Sequence, residues 1–264
     1  MVKLQSGEPI ITKGWQFICD LSKKEYNKLY VRLDIKLEEC GESFFHSMIK
    51  PIMEELKAKK MVEESKGAMC IFNGKYKTPL IILKSDGAIG YDSTDIAAAH
   101  YRLLKLKCDK VIYVTDIGQE FHFKLIFDAA ERAGWYAPTK AQLLHMGFGI
   151  VLGKSGKKIK ARDGTDKKIV ELIDEARDRA LVQIQQRLKE NGKEKAVKTQ
   201  LKDDKKIKEA AEILGIAIIK YFNLRLSRTS NYHFSYEGVL DTKGNTAVYL
   251  LFNYAKIELN SKKG

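Results

Sequence analysis

The chain has 264 residues, 44% of them hydrophobic, which is enough for one large domain or two modest ones. Lys and Arg outnumber Asp and Glu by 47 to 34, a formal charge of +13 that fits a polyanionic partner or a merely solubilising surface equally well. No run of about 18 apolar residues offers a membrane span, and residues 1–7 lack the apolar core of a signal peptide. Cys19, Cys40, Cys70 and Cys108 form no Cys-x-x-Cys pair, so neither a zinc site nor a disulfide framework is indicated and a reducing cytosol fits.

Residues 8–60 read as helical. Thr12 is placed to cap a helix carrying Trp15, Phe17, Ile18 and Leu21, and Tyr26, Leu29, Tyr30 and Leu33 continue the spacing. Gly41 breaks it, and Ser43 opens a second helix with Phe44, Phe45, Met48, Ile49 and Ile52. Pro51 predicts a kink or a helix start inside that run. Short strands are expected at Met61-Val62 and from Ala68 to Phe72, with turns at Gly67 and Asn73-Gly74.

From residue 80 the pattern changes. The apolar run Leu80 to Leu83 precedes a helix from Asp95 to about Leu106. A β-branched run from Lys110 to Val114 precedes a helix from Gln119 to about Ala133, and Leu143 to Leu152 follows. Strands alternating with helices of this length imply a parallel sheet with right-handed crossovers. Residues 153–168 form a basic loop. Ile169, Leu172, Ile173, Ala176, Ala180, Ile184 and Leu188 mark one face of a long helix. A Lys-rich stretch, 189–208, leads to an apolar helix from Ala210 to Tyr221. Tyr232 to Tyr236 reads as an irregular strand or loop, and Thr246 to Ile257 as a last helix.

The chemistry concentrates in Asp86-Gly-Ala-Ile-Gly-Tyr91-Asp92-Ser93-Thr94-Asp95. A strand ends, a glycine turn follows, and a helix begins with a tyrosine and a carboxylate one turn apart. Such turns are where α/β sheets bind small ligands. A carboxylate beside a tyrosine suits a planar cation, because a guanidinium donates two parallel hydrogen bonds to one carboxylate. On sequence pattern alone Asp95 is better read as a helix N-cap than as a ligand contact, though the two duties are compatible because Ser93 or Thr94 could cap in its place. Three similar blocks follow: Asp116-Ile-Gly118-Gln119-Glu-Phe-His122, then His145-Met-Gly147-Phe-Gly149, then Lys158-Ile-Lys160-Ala-Arg162. Taken alone, Gln119 is an exposed first-turn residue, His122 an oriented structural histidine, His145 a satisfied polar residue at a strand end, and the last block a solvated loop. Gly147 and Gly149 are positions where another group can approach the backbone closely.

The order and spacing of these blocks resemble the second half of the catalytic domain of arginyl-tRNA synthetases, class I, of the eukaryotic cytosolic type. The likeness runs from Ile11-Thr-Lys-Gly-Trp15 through Gly41-Glu-Ser-Phe44 and Gly134-Trp-Tyr136 to Gly244-Asn245-Thr246-Ala247. It implies an α/β fold, a partial Rossmann-like parallel sheet flanked by a helical insertion and a C-terminal helical segment. Residues 1–79 would be the helical insertion with short strands, 80–168 the second half of the nucleotide-binding domain, and 169–264 a helical stem-contact region. It further implies that Tyr91, Asp95 and Gln119 hold the arginine guanidinium and that His145, Gly147 and Gly149 contact ATP. Lys158, Lys160 and Arg162 would stand as a degenerate copy of the Lys-Met-Ser-Lys-Ser loop, whose cations stabilise charge as pyrophosphate leaves.

Substrates would be arginine, ATP with Mg2+, and tRNA-Arg, in the cytoplasm, with adenylate formation usually requiring the tRNA. The basic region from Arg187 to Lys208 has the sign needed for tRNA phosphates or for a solvated linker. Tyr232, Phe234, Asn245 and Tyr249 line the tRNA side or pack the helical base, with packing expected of the aromatics. No His-x-Gly-His element is found. The chain therefore reads as an interior fragment, expected to be inactive alone and to expose an unpaired sheet edge. A basic, non-catalytic binding protein on the same fold is the alternative.

Overall fold

The structure, a computed structural model, describes residues 2–152, 169–190, 204–233 and 244–262. The basic loop with Lys158, Lys160 and Arg162, much of the Lys-rich stretch, and Phe234 to Tyr236 lie outside the described residues. The chain divides into two units, Met1–Phe148 and Gly149–Gly264.

In the first unit, a single helical turn, α1 (Val2–Gln5), precedes the long helix α2 (Pro9–Arg32). Proline occupies the first turn, where its missing N–H costs nothing, so the helix starts before Thr12. Thr12 lies inside it with its N–H on the Glu8 carbonyl and is not the cap. Helix α3 (Glu42–Ala58) begins after Gly41 and continues past Pro51. Pro51 sits on the exposed face, where a carbonyl without its N–H partner stays hydrated, so the proline does not begin a new helix. Phe45, Ile49, Ile52 and Leu56 recur at helical spacing on the buried side.

Strands β1 (Glu63–Ser65) and β2 (Ala68–Ile71) form an antiparallel hairpin. Lys66 and Gly67 join them with φ of 52° and 76°, the paired positive values of a tight two-residue turn. The first strand thus starts two residues later than Met61-Val62. Strand β3 (Leu80–Leu83) pairs antiparallel with β2, Cys70 opposite Ile81. A short apolar strand carries no mark of its partner's direction. Parallel pairing is found instead between β4 (Lys110–Tyr113) and β5 (Gln142–His145), in register from Lys110↔Gln142 to Tyr113↔His145.

Helix α4 (Tyr91–His100) closes with a wider turn over Tyr101–Lys105, and α5 (Glu120–Arg132) is the β4–β5 crossover. Ala97, Ala98 and Ala99 are at most 2% exposed, and their small size lets α4 lie close between α3 and α5. Leu56, Ile82, Ile96 and Ile126 fill the core around them. All four cysteines are unbonded, and no helix among the described residues is long and apolar enough to cross a membrane.

The second unit holds β6 (Val151–Leu152) and β7 (Tyr232–His233), a short parallel pair. Leu143 to Leu152 is therefore two strands, β5 and β6. Helices α6 (Ile169–Glu190) and α7 (Asp204–Arg225) pack along a seam of small and branched residues, Ile173, Ala176, Ala180, Ala211 and Ile218. Thr246 caps α8 (Ala247–Ser261), its Oγ1 accepting from the Tyr249 N–H at 3.3 Å. Thr246→Ala leaves that N–H without its side-chain acceptor and should cost about 1 kcal/mol in urea denaturation. The Tyr232 hydroxyl donates to Asn223 Oδ1 at 2.8 Å, while Tyr249 is 59% exposed and does not pack as expected.

Candidate functional site

The site begins where β3 ends. Asp86 Oδ1 accepts from the Ala88 N–H at 2.9 Å, Gly87 takes φ +79°, and the turn delivers the chain to Gly90, the residue that precedes α4. No side chain caps this helix. Asp95 stands in its second turn, so it is not the cap, and neither Ser93 nor Thr94 takes that role. Ser93 Oγ donates instead to the Ile82 carbonyl at 2.6 Å, and Thr94 Oγ1 to the Tyr91 carbonyl at 3.0 Å. Asp92 Oδ2 accepts from the Ile81 N–H at 2.8 Å. Adjacent residues of α4 thus grip backbone groups of adjacent residues of β3, which fixes the first turn of the helix against the strand.

This anchoring sets the direction of the next turn. Tyr91 and Asp95 fall on one face, four residues apart. His122, from the first turn of α5, lies against both. Its Nε2 is 2.7 Å from Asp95 Oδ2 and its Nδ1 is 3.3 Å from Asp92 Oδ1. The Tyr91 and His122 ring centroids are 4.9 Å apart. Exposure is graded outward: the side chains of His122 and Asp92 are 13% and 15% exposed, that of Asp95 is 31%, and Tyr91 is 63% exposed. The Asp95 carboxylate is therefore held from within and open from outside.

Burial pulls the His122 pKa down, but hydrogen bonds to Asp92 and Asp95 and their negative charge outweigh it and raise the value to about 9. A histidine with its folded pKa above an unfolded value of about 6.5 lends stability that is complete below pH 6.5. That contribution disappears as pH rises through about 9. The stability difference between the wild type and His122→Gln should accordingly narrow from pH 6 to pH 9.5 in thermal melts.

Gln119 is exposed and precedes α5 directly, three residues before His122. Asp116 shapes its approach by accepting from the Gly118 N–H at 2.7 Å within the turn Ile117–Gln119. On β5, His145 Nε2 lies 2.8 Å from Thr115 Oγ1, and its ring stacks on Phe123 with centroids 5.0 Å apart. Tyr91, His122, Phe123 and His145 form a row of rings with successive spacings of 4.9, 5.1 and 5.0 Å. Sequence reading placed these rings in three separate blocks.

Each of the two glycines after His145 meets its own backbone. A Cβ at Gly147 would fall 2.8 Å from the Ile117 Cα, and in the second unit a Cβ at Gly149 would strike the Ser230 carbonyl. Their lack of a side chain is thus already required by internal packing. Sequence reading passed over Asp92. The available signal was its spacing, three residues before Asp95, which lets one helix face present two carboxylates to a single partner.

A strand, a glycine turn and a helix, beside a parallel strand pair with its crossover helix, place this region in the mixed α/β class. A family model described as "tRNA synthetases class I (R), catalytic domain" matches residues 1–236. The chain is 43% identical over 260 residues to the chloroplastic/mitochondrial arginine–tRNA ligase of Arabidopsis thaliana, covering 97% of this chain and 39% of that protein. It is 41% identical over 270 residues to the arginine–tRNA ligase of a Cyanothece strain, covering 100% of this chain and 45% of the relative. The crystal structure of arginyl-tRNA synthetase from Plasmodium falciparum superposes with a TM-score of 0.83 at 38% identity, covering all of this chain and 43% of that one. The chain belongs to the family of class I arginyl-tRNA synthetase catalytic domains, and it spans less than half the length of these relatives.

Proposed function

We propose that the chain is the arginine-recognising part of an arginine–tRNA ligase that acts in the cytoplasm. In this reading Tyr91, Asp95 and Gln119 receive the guanidinium. His145, Gly147 and Gly149 contact ATP, and Lys158, Lys160 and Arg162 stabilise the charge on the departing pyrophosphate. The arginine carboxylate attacks the α-phosphate to form arginyl-adenylate. A ribose hydroxyl at the 3′ end of tRNA-Arg then takes the arginyl group, releasing AMP. Such a reaction needs positioning and cations more than a general base. Magnesium would enter as the ion that ATP carries.

The observation that carries this reading is the Asp95 carboxylate, fixed on its inner side by His122 and open to solvent beside the exposed Tyr91 ring. Calorimetric titration tests it. Arginine should bind at least about 100-fold more tightly than citrulline, the neutral isostere that cannot pair with a carboxylate as a cation. Equal binding of the two would remove arginine as the ligand. Arginine-dependent pyrophosphate exchange by this chain alone should be absent.

A further inference from the structure

We propose that His122 is a positioning residue, clamped as an imidazolium between Asp92 and Asp95, which fixes the carboxylate that meets the guanidinium. The inference rests on the arginine reading for its ligand but on side-chain geometry for its substance. Both ring nitrogens face carboxylate oxygens. An ionised carboxylate only accepts, so two such partners call for two N–H donors, and only the cationic ring has both. The raised pKa agrees with this arrangement. The groups facing the ring are Asp92, Asp95 and Tyr91 from α4, with Phe123 beside it on α5 and His145 beyond Phe123 on β5.

The clamp is one end of a chain of contacts. The Ile81 N–H of β3 holds one oxygen of Asp92, the other oxygen of Asp92 faces His122 Nδ1, and His122 Nε2 holds Asp95 Oδ2. The backbone of a core strand thereby sets the rotamer of a ligand carboxylate through two side chains. The charge also closes. Two carboxylates and one imidazolium leave one net negative charge for one guanidinium. Without the ring cation, Asp92 and Asp95 would repel each other, and the more exposed Asp95 would turn away from the pocket. An orienting partner of this sort acts before the ligand arrives, and a group held in place loses less freedom on binding.

The test has two readouts on the same 264-residue chain. The first is the 15N chemical shift of the His122 ring nitrogens between pH 5 and 10. Both nitrogens should carry protons at pH 7.5, and Asp95→Asn should lower the midpoint by at least one unit. A ring with one proton at pH 7.5 and an ordinary midpoint, unmoved by Asp95→Asn, overturns the proposal whether or not arginine binds. The second is arginine titration. His122→Ala should weaken arginine about tenfold, the loss of one charged hydrogen bond. His122→Gln, whose amide can donate to Asp95, should recover part of that loss. Arginine affinity unchanged in both variants but lost in Asp95→Asn would keep the arginine pocket and overturn His122 as its positioner. A doubly protonated ring in a chain that does not distinguish arginine from citrulline would support the clamp and overturn arginine as its ligand.

Discussion

Asp95→Asn should reduce arginine affinity at least about 100-fold while leaving the helices intact, with calorimetry for the first and circular dichroism for the second. The substitution keeps the size and planarity of the side chain and changes only charge and donor pattern. A guanidinium presents donors alone, so an amide nitrogen in place of one carboxylate oxygen sets donor against donor. Hydrogen bonds to charged groups are worth about 1.5–3 kcal/mol each, and a 100-fold loss is about 2.7 kcal/mol, so one misplaced contact with the loss of charge is enough. The fold should survive because Asp95 reaches only outward and to His122, whereas Asp92 and Ser93 make the bonds that fix α4 to β3. Affinity within threefold of wild type would mean that the guanidinium is recognised elsewhere.

The contrast between Asp92 and Asp95 marks what the amino-acid order could reveal. Elements with a local period were legible: the buried positions Phe45, Ile49 and Ile52, the β-branched strand at Lys110–Tyr113, and the last helix after Thr246 all depend on residues within a few positions of one another. The i, i+4 placement of Tyr91 and Asp95 was legible for the same reason. Asp92 was not, because its partners are non-local: Ile81 is eleven residues away, and His122 arrives from another helix. The direction of β3 was hidden likewise, since Leu-Ile-Ile-Leu fits an antiparallel or a parallel neighbour equally well. The helix start at Tyr91 was missed because Gly90 provides no side-chain cap, and the contacts holding the first turn point sideways to β3. The family likeness supplied candidate residues for the pocket but not the ring row or the clamp, which depend on where α5 crosses α4.

Gly215→Ala should lower the stability of the chain by about 2 kcal/mol in urea denaturation, against the direction that helix propensity predicts. Alanine at an exposed helix interior gains about 1 kcal/mol over glycine. Gly215 is buried in α7, however, and a Cβ there would lie 2.6 Å from the Arg177 backbone N, 2.9 Å from the Arg177 Cα and 3.0 Å from the Ala176 carbonyl carbon. Backbone atoms of α6 cannot rotate aside as a flexible side chain does. The two helices must part, and parting them loosens Ile173, Ala180, Ala211 and Ile218 along the same seam. Overpacking of a tight core costs about 1–3 kcal/mol when side chains can share the adjustment. Here the adjustment falls on a whole helix, so the cost should reach the upper part of that range or pass it, and the propensity gain offsets only a fraction. Ile213→Ala, on the exposed side of the same helix, serves as the control and should change stability by no more than about 0.5 kcal/mol. A Gly215→Ala chain as stable as wild type would show that α6 and α7 tolerate a wider separation and that the glycine is not what sets their approach.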